Sequence, residues 1–258
     1  MKGDIKKIFK PHIAAWFGAT PPICAFVFIG ISIALSPWFS WTDNALSDLG
    51  VSPVAPIFNG GLILTGILLS LFAIAVTQIE LKSRFGLASA ISFLVAGFGV
   101  AGVGIFTEAF IELHILFAMF CFIPLLLSFI LFGVRWALKR GISSSKILTI
   151  LIVVGVVGII SGVIGVSKMN PWEFIDLYKN PPPEYITPEG TVDYLRIGTY
   201  MRELVKTRYN INIPGIALME ILFALPMLPV YMWLSIRFSR KKEHAENNHY
   251  TNKIHDNE

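Results

Sequence analysis

Apolar residues gather into six runs along the chain, roughly 13–35, 55–77, 85–106, 115–138, 147–166 and 213–236, with short polar stretches between them. Each run is about 20 residues or more, enough for a helix rising ~1.5 Å per residue to cross the ~30 Å hydrocarbon layer. The pattern predicts an all-α, polytopic membrane protein with six transmembrane helices. Pro21 and Pro22 are expected to kink the first helix, and Pro226 and Pro229 to interrupt the last. Glycines crowd the second and third runs, which permits close helix approach.

Polar positions set the orientation. Fifteen of the 21 basic residues fall at the N-terminus, after the second and fourth runs, and in the tail. The loops 36–54 and 107–114 hold none. The positive-inside bias therefore predicts cytoplasmic N- and C-termini and places those two loops outside the cell membrane. One membrane domain is expected over residues 1–242, followed by a disordered cytoplasmic tail over 243–258. The first run is too long for a signal peptide and lacks a clear cleavage site, so it is expected to be a retained helix.

The long loop 167–212 is external in this scheme. Thr187 and Pro188 suggest a capped helix start. Val192, Leu195, Met201, Leu204 and Val205 then fall near helical spacing, with Arg196, Arg202, Lys206 and Arg208 supplying charge. This predicts one external amphipathic helix on the outer surface, either a structural lid or a grip for an acidic headgroup.

Composition agrees with the pattern and adds little: 54% hydrophobic, 15% charged, mean hydropathy +0.66. The net charge of +4 reflects the basic loops, so no nucleic-acid partner is expected, and membrane lipids are. Cys24 and Cys121 both lie in apolar runs and offer no zinc or disulfide framework.

Ionisable groups near the spans are the informative residues, because burying them in a membrane is costly. Glu220 lies about seven residues into the last run, ~10 Å below its outer end. At the same level fall Glu108, Glu112, His114, Asn59 and the stretch containing Asp43, Asn44, Ser47 and Asp48. This one-sided gathering predicts an outward-facing polar cavity. His114 with Glu108 and Glu220 could bind a divalent metal or perform acid/base work. Ser47 and Asp48 would orient that set, while Asn59, Asp43, Glu112, Arg196 and Arg202 would contact substrate. Caps and turns would equally use Asp43, Ser47 and Asp48. No nucleophile elbow, HExxH, Walker loop or dinucleotide fingerprint occurs.

The stretches "NALSDLG", "PIFNGGLILTGILLSLFA", "GVGIFTE", "LHILFAMFCF" and "PGIALME" resemble the archaeal and bacterial membrane-protein family known as domain of unknown function 998. The resemblance covers most of runs one to four and the last. It carries Ser47, Asp48, Gly50, Asn59, Gly66, Glu108, His114 and Glu220 as the family pattern. It departs at the long fifth loop and at "IFTEAF", where members often have a proline. It implies no established activity. A weaker likeness, through the Ser-Asp-x-Gly stretch, is to the Frag1/DRAM/Sfk1 group, one branch of which is associated with remodelling lipid-anchored glycans.

The functional expectation is a protein that binds or processes a lipid or lipid-linked substrate in the outward cavity. The alternatives are a small-solute or ion transporter using the Glu220 carboxylate, and a non-catalytic structural or sensor protein. Whether it is an enzyme, and its oligomeric state, stay open at this level.

Overall fold

The computed structural model describes residues 11–41, 43–80, 83–140 and 171–209. The fifth and sixth runs, Glu220 and the polar tail lie outside these. Six α-helices are present among the described residues: α1 (Pro11–Ala34), α2 (Ala55–Glu80), α3 (Arg84–Ile105), α4 (Ile111–Arg140), α5 (Pro171–Lys179) and α6 (Tyr194–Tyr209). The described residues hold no β-strand, only an isolated antiparallel bridge between Ile186 and Val192. Four helices are long and apolar enough to cross a membrane: Trp16–Ala34, Ala55–Thr77, Arg84–Ile105 and Glu108–Phe132. This is a helical membrane protein, and its first four helices start and stop within a few residues of the hydropathy pattern. The helix of α1 continues through Pro21 and Pro22.

Consecutive spans pack as antiparallel neighbours, α1 on α2, α2 on α3 and α3 on α4. The α2–α4 core is a chain of edge-on aromatics: Phe93 lies 5.4 Å from both Phe72 and Phe129. Leu69, Val76, Ala90, Ala96, Val100 and Phe132 fill in around them. Several polar side chains within the spans are satisfied inside the bundle, although the buried Thr20 hydroxyl of α1 is not. Thr65, Ser70 and Thr77 each donate to the carbonyl four residues back. Ser89 of α3 donates 2.8 Å to the Ser128 carbonyl of α4. Hydrocarbon offers no water to do this work.

The middle helix is narrow on two sides. A Cβ on Gly66 of α2 or on Gly97 of α3 would run into backbone of the other helix. On the opposite side of α3, a Cβ on Gly99 would land on the α4 backbone at Phe120 and Cys121. Glycine here lets two backbones touch, so dispersion replaces the missing hydrophobic drive between helices in lipid.

Two connections meet at one end of this bundle, called here the polar end. The α1–α2 connection contains the 3₁₀ turn Leu46–Val51, and the α3–α4 connection the 3₁₀ turn Glu108–Phe110. The turns contact one another, and α6 contacts the first. The 171–209 segment forms a small cap with its own core of Tyr178, Tyr185, Ile197 and Met201, seated on Ile111 of α4.

The expected helix start at Thr187 is not where α6 begins. Thr187 to Gly190 instead form a turn, closed by the Gly190 N–H on the Thr187 carbonyl at 2.9 Å. Pro188 suits its second position, and Gly190 takes φ 79°. The Thr187 hydroxyl pairs with that of Thr191 at 2.8 Å. The cap of α6 is Asp193, whose carboxylate accepts the Arg196 N–H at 3.0 Å. α5 was expected as loop.

Gly99→Ala should lower the thermal midpoint of the detergent-solubilised protein, by an amount corresponding to about 1–3 kcal/mol of overpacking. Gly60→Ala, where a Cβ meets nothing within 4 Å, should leave it unchanged. A scanning unfolding assay of both variants checks this.

Candidate functional site at the polar end

The first carboxylate of the site is held by its own loop. Asp48 is 0% exposed. Its Oδ2 accepts the Asn44 side-chain amide at 2.8 Å and the Ala45 N–H at 3.2 Å. Asn44 in turn accepts the Ser40 N–H at 2.9 Å, and the Ser40 hydroxyl donates to Asp43 at 2.7 Å. This run of acceptors and donors, each three or four residues apart, is what folds "SWTDNALSD" into a compact connection. Leu46, Leu49, Val54 and Phe58 pack beneath it, against Ile29, Ile33, Trp38 and Phe39. Asp48 thus closes a turn while buried, the turn role that the sequence allowed.

Asn59 fastens that turn to α2. Its side-chain amide donates to the Gly50 carbonyl at 2.9 Å. A Cβ on Gly50 would stand 2.8 Å from the Asn59 Oδ1, so glycine is needed for the approach. Ser47 lies half-buried in the same turn.

The second carboxylate is held from outside the bundle. Glu108 is 6% exposed and accepts the Tyr178 hydroxyl at 3.1 Å, across 70 residues of chain. Glu112, one turn further along, pairs with Lys179 at 2.7 Å, with both side chains about half exposed. The adjacent Tyr178 and Lys179 of α5 therefore meet two carboxylates four residues apart. Glu108 and Glu112 thus both meet α5.

His114 ties together the ends of two helices. Its Nδ1 lies 2.8 Å from the Phe106 carbonyl at the C-terminus of α3. A carbonyl only accepts, so Nδ1 is the donor in this bond. Phe106 also stacks on Phe117 at 5.0 Å. The ring of His114 thereby holds the α3–α4 corner that presents Glu108.

Of the remaining candidates, Asp43 is exposed and engaged with Ser40. Arg196 is exposed, donates 2.8 Å to the Glu184 carbonyl and lies 5.7 Å over the Tyr185 ring, so it braces the cap. The Arg202 side chain and Glu220 lie outside the described features. Among the described residues, no three or more His, Cys, Asp or Glu side chains form a group able to hold a metal. Tyr178 is the residue sequence reasoning missed. The alternation of "WEFIDLYK" was the one signal that could have raised it.

The chain matches the family described as Protein of unknown function (DUF998) over residues 19–178. It belongs to that family, whose activity is not established. No curated protein and no solved structure matches it. The matched region runs from α1 to Tyr178 and so includes the Asp48 turn, Asn59, Glu108 and His114.

Asp48→Ala leaves the Asn44 amide and the Ala45 N–H without their buried acceptor. A loss of about 1–3 kcal/mol per stranded group is expected. Unfolding midpoints should show Asp48→Ala far below Asp43→Ala, which acts at an exposed side chain.

Proposed function

We propose that this protein sits in the cell membrane and binds the polar head of a lipid or lipid-linked substrate at its polar end, beneath the 171–209 cap. The supporting observation is the buried Glu108 carboxylate, met by a hydroxyl from a segment outside the spans. Keeping a carboxylate out of water at a membrane boundary is costly, which makes such groups functional candidates. Asp48 lies in the adjoining turn, so two buried acids occupy neighbouring connections.

The same reading includes six crossings with both termini in the cytoplasm. α4 starts at the polar end and runs 30 residues, about 45 Å, to Arg140. Pro171 opens α5, which is back beside the start of α4 through Tyr178 and Glu108. The return of the chain from Arg140 to Pro171 beside the start of α4 supports a fifth crossing over 147–166, and a cytoplasmic tail goes with a sixth over 213–236. The lack of basic residues in 36–54 and 107–114 favours the polar end facing out.

A non-catalytic structural role is the second reading, favoured by a specific observation. Asp48, Asn59, His114 and Arg196 each hold backbone in place. Native mass spectrometry of protein extracted in mild detergent separates the two. The binding reading expects a lipid or lipid-linked species retained by the unaltered protein and reduced at least about tenfold by Glu108→Gln, with folding intact. An unaltered protein that carries no such species, or a variant that carries it equally, favours the structural reading.

A further inference from the structure

We infer that residues 171–209 form a lid that moves as one body over the polar end, held shut by a two-point clamp of which the Lys179–Glu112 pair is the releasable half. The inference rests on the binding reading only for what the lid admits; the motion stands on the contacts themselves.

The lid has the makings of an independent body. Tyr178, Tyr185, Ile197 and Met201 are buried against one another, with Ile175, Leu177, Val192, Tyr194 and Leu204 packed around them. Arg196 braces the connection between α5 and α6 by its bond to the Glu184 carbonyl and its place over the Tyr185 ring. The Asp193 N–H donates 2.8 Å to the Tyr185 carbonyl, closing the hairpin between them.

It meets the bundle in two places, through α6 on the turn Leu46–Val51 and through α5 on α4, and the releasable contact is on α4. From α4, Ile111 joins the lid core as a buried residue and Ile115 as a half-buried one. Polar bonds between α5 and α4 include Tyr178 to Glu108 and Lys179 to Glu112. Because the donors are adjacent and the acceptors one helical turn apart, the pair fixes both position and rotation of α5 on α4. The two halves differ in kind. Tyr178–Glu108 is buried. Lys179–Glu112 is about half exposed on both sides, so it is screened by salt and modest in strength. A clamp with one tight and one weak point holds a lid closed at rest and lets it lift.

Cysteine accessibility tests this in the full chain, with Cys24 and Cys121 replaced by alanine. Ile111→Cys reports the seat under the lid, and Ile197→Cys reports the lid interior. Adding Lys179→Glu should speed maleimide labelling at Ile111→Cys about twofold to fivefold, the scale of an exposed ion pair. Labelling at Ile197→Cys should not change. Further addition of Glu112→Lys should restore the slow rate. An unchanged rate at Ile111→Cys overturns the clamp. Equal acceleration at both positions also overturns it, because the cap would then be unfolding and not lifting. Should the cysteine variants fail to fold, hydrogen exchange on the unaltered chain reads the same motion. Raising salt from about 0.1 to 1 M, which shortens the screening length from about 10 to 3 Å, should speed exchange across 108–113 and leave 194–201 protected. The opposite pattern sinks the proposal. A lid that moves in a protein retaining no lipid sinks only the binding reading, and a retained lipid under an immobile cap sinks only the lid.

Discussion

A carboxylate that leaves water at the edge of a bilayer needs donors from the chain, and the polar end is organised by meeting that need twice. Asp48 obtains its donors locally, from Asn44 and Ala45. Glu108 obtains one at long range, from Tyr178. The local solution folds the α1–α2 connection down onto Leu49 and Phe58. The long-range solution draws an extramembrane helix onto the start of α4. The two turns then touch each other and α6, so the whole polar end follows from how two acids are satisfied.

The residues that carry the family resemblance acquire physical roles in this frame. Gly50 makes room for Asn59, and Asn59 holds the Asp48 turn. Gly66 allows α2 to lie on the backbone of α3. His114 secures the corner from which Glu108 projects. These are positioning tasks, and they concentrate on the connections between spans and on one helix interface. What they position is Glu108 and its hydroxyl partner, Tyr178.

The four described spans were legible because about 20 consecutive apolar residues have few other uses. The gathering of polar groups at one end was legible too, since it follows from which loops they occupy. The burial of Glu108 was not, because its partner lies 70 positions away and spacing along α4 says nothing of Tyr178. α5 escaped because nine residues make a marginal helix alone and need tertiary cover to persist. Thr187 was misjudged as a helix cap because "TPEG" satisfies turn chemistry equally well. The competition was decided by the Thr191 hydroxyl and by Asp193, which lies closer to the apolar face.

The glycines of α3 also bear on the order in which the bundle is made. A glycine-lined helix has less side chain to offer lipid than its neighbours: the mean hydropathy of α3 is 1.9 against 2.8 for α4. Its close packing is shared between α2 on one side and α4 on the other. Spans emerge from the ribosome in sequence and associate after insertion. α3 therefore enters the bilayer with only its Gly97 side able to find a partner. Its Gly99 side stays against lipid until α4 has been synthesised, so the three-helix core closes only when the fourth span is in place.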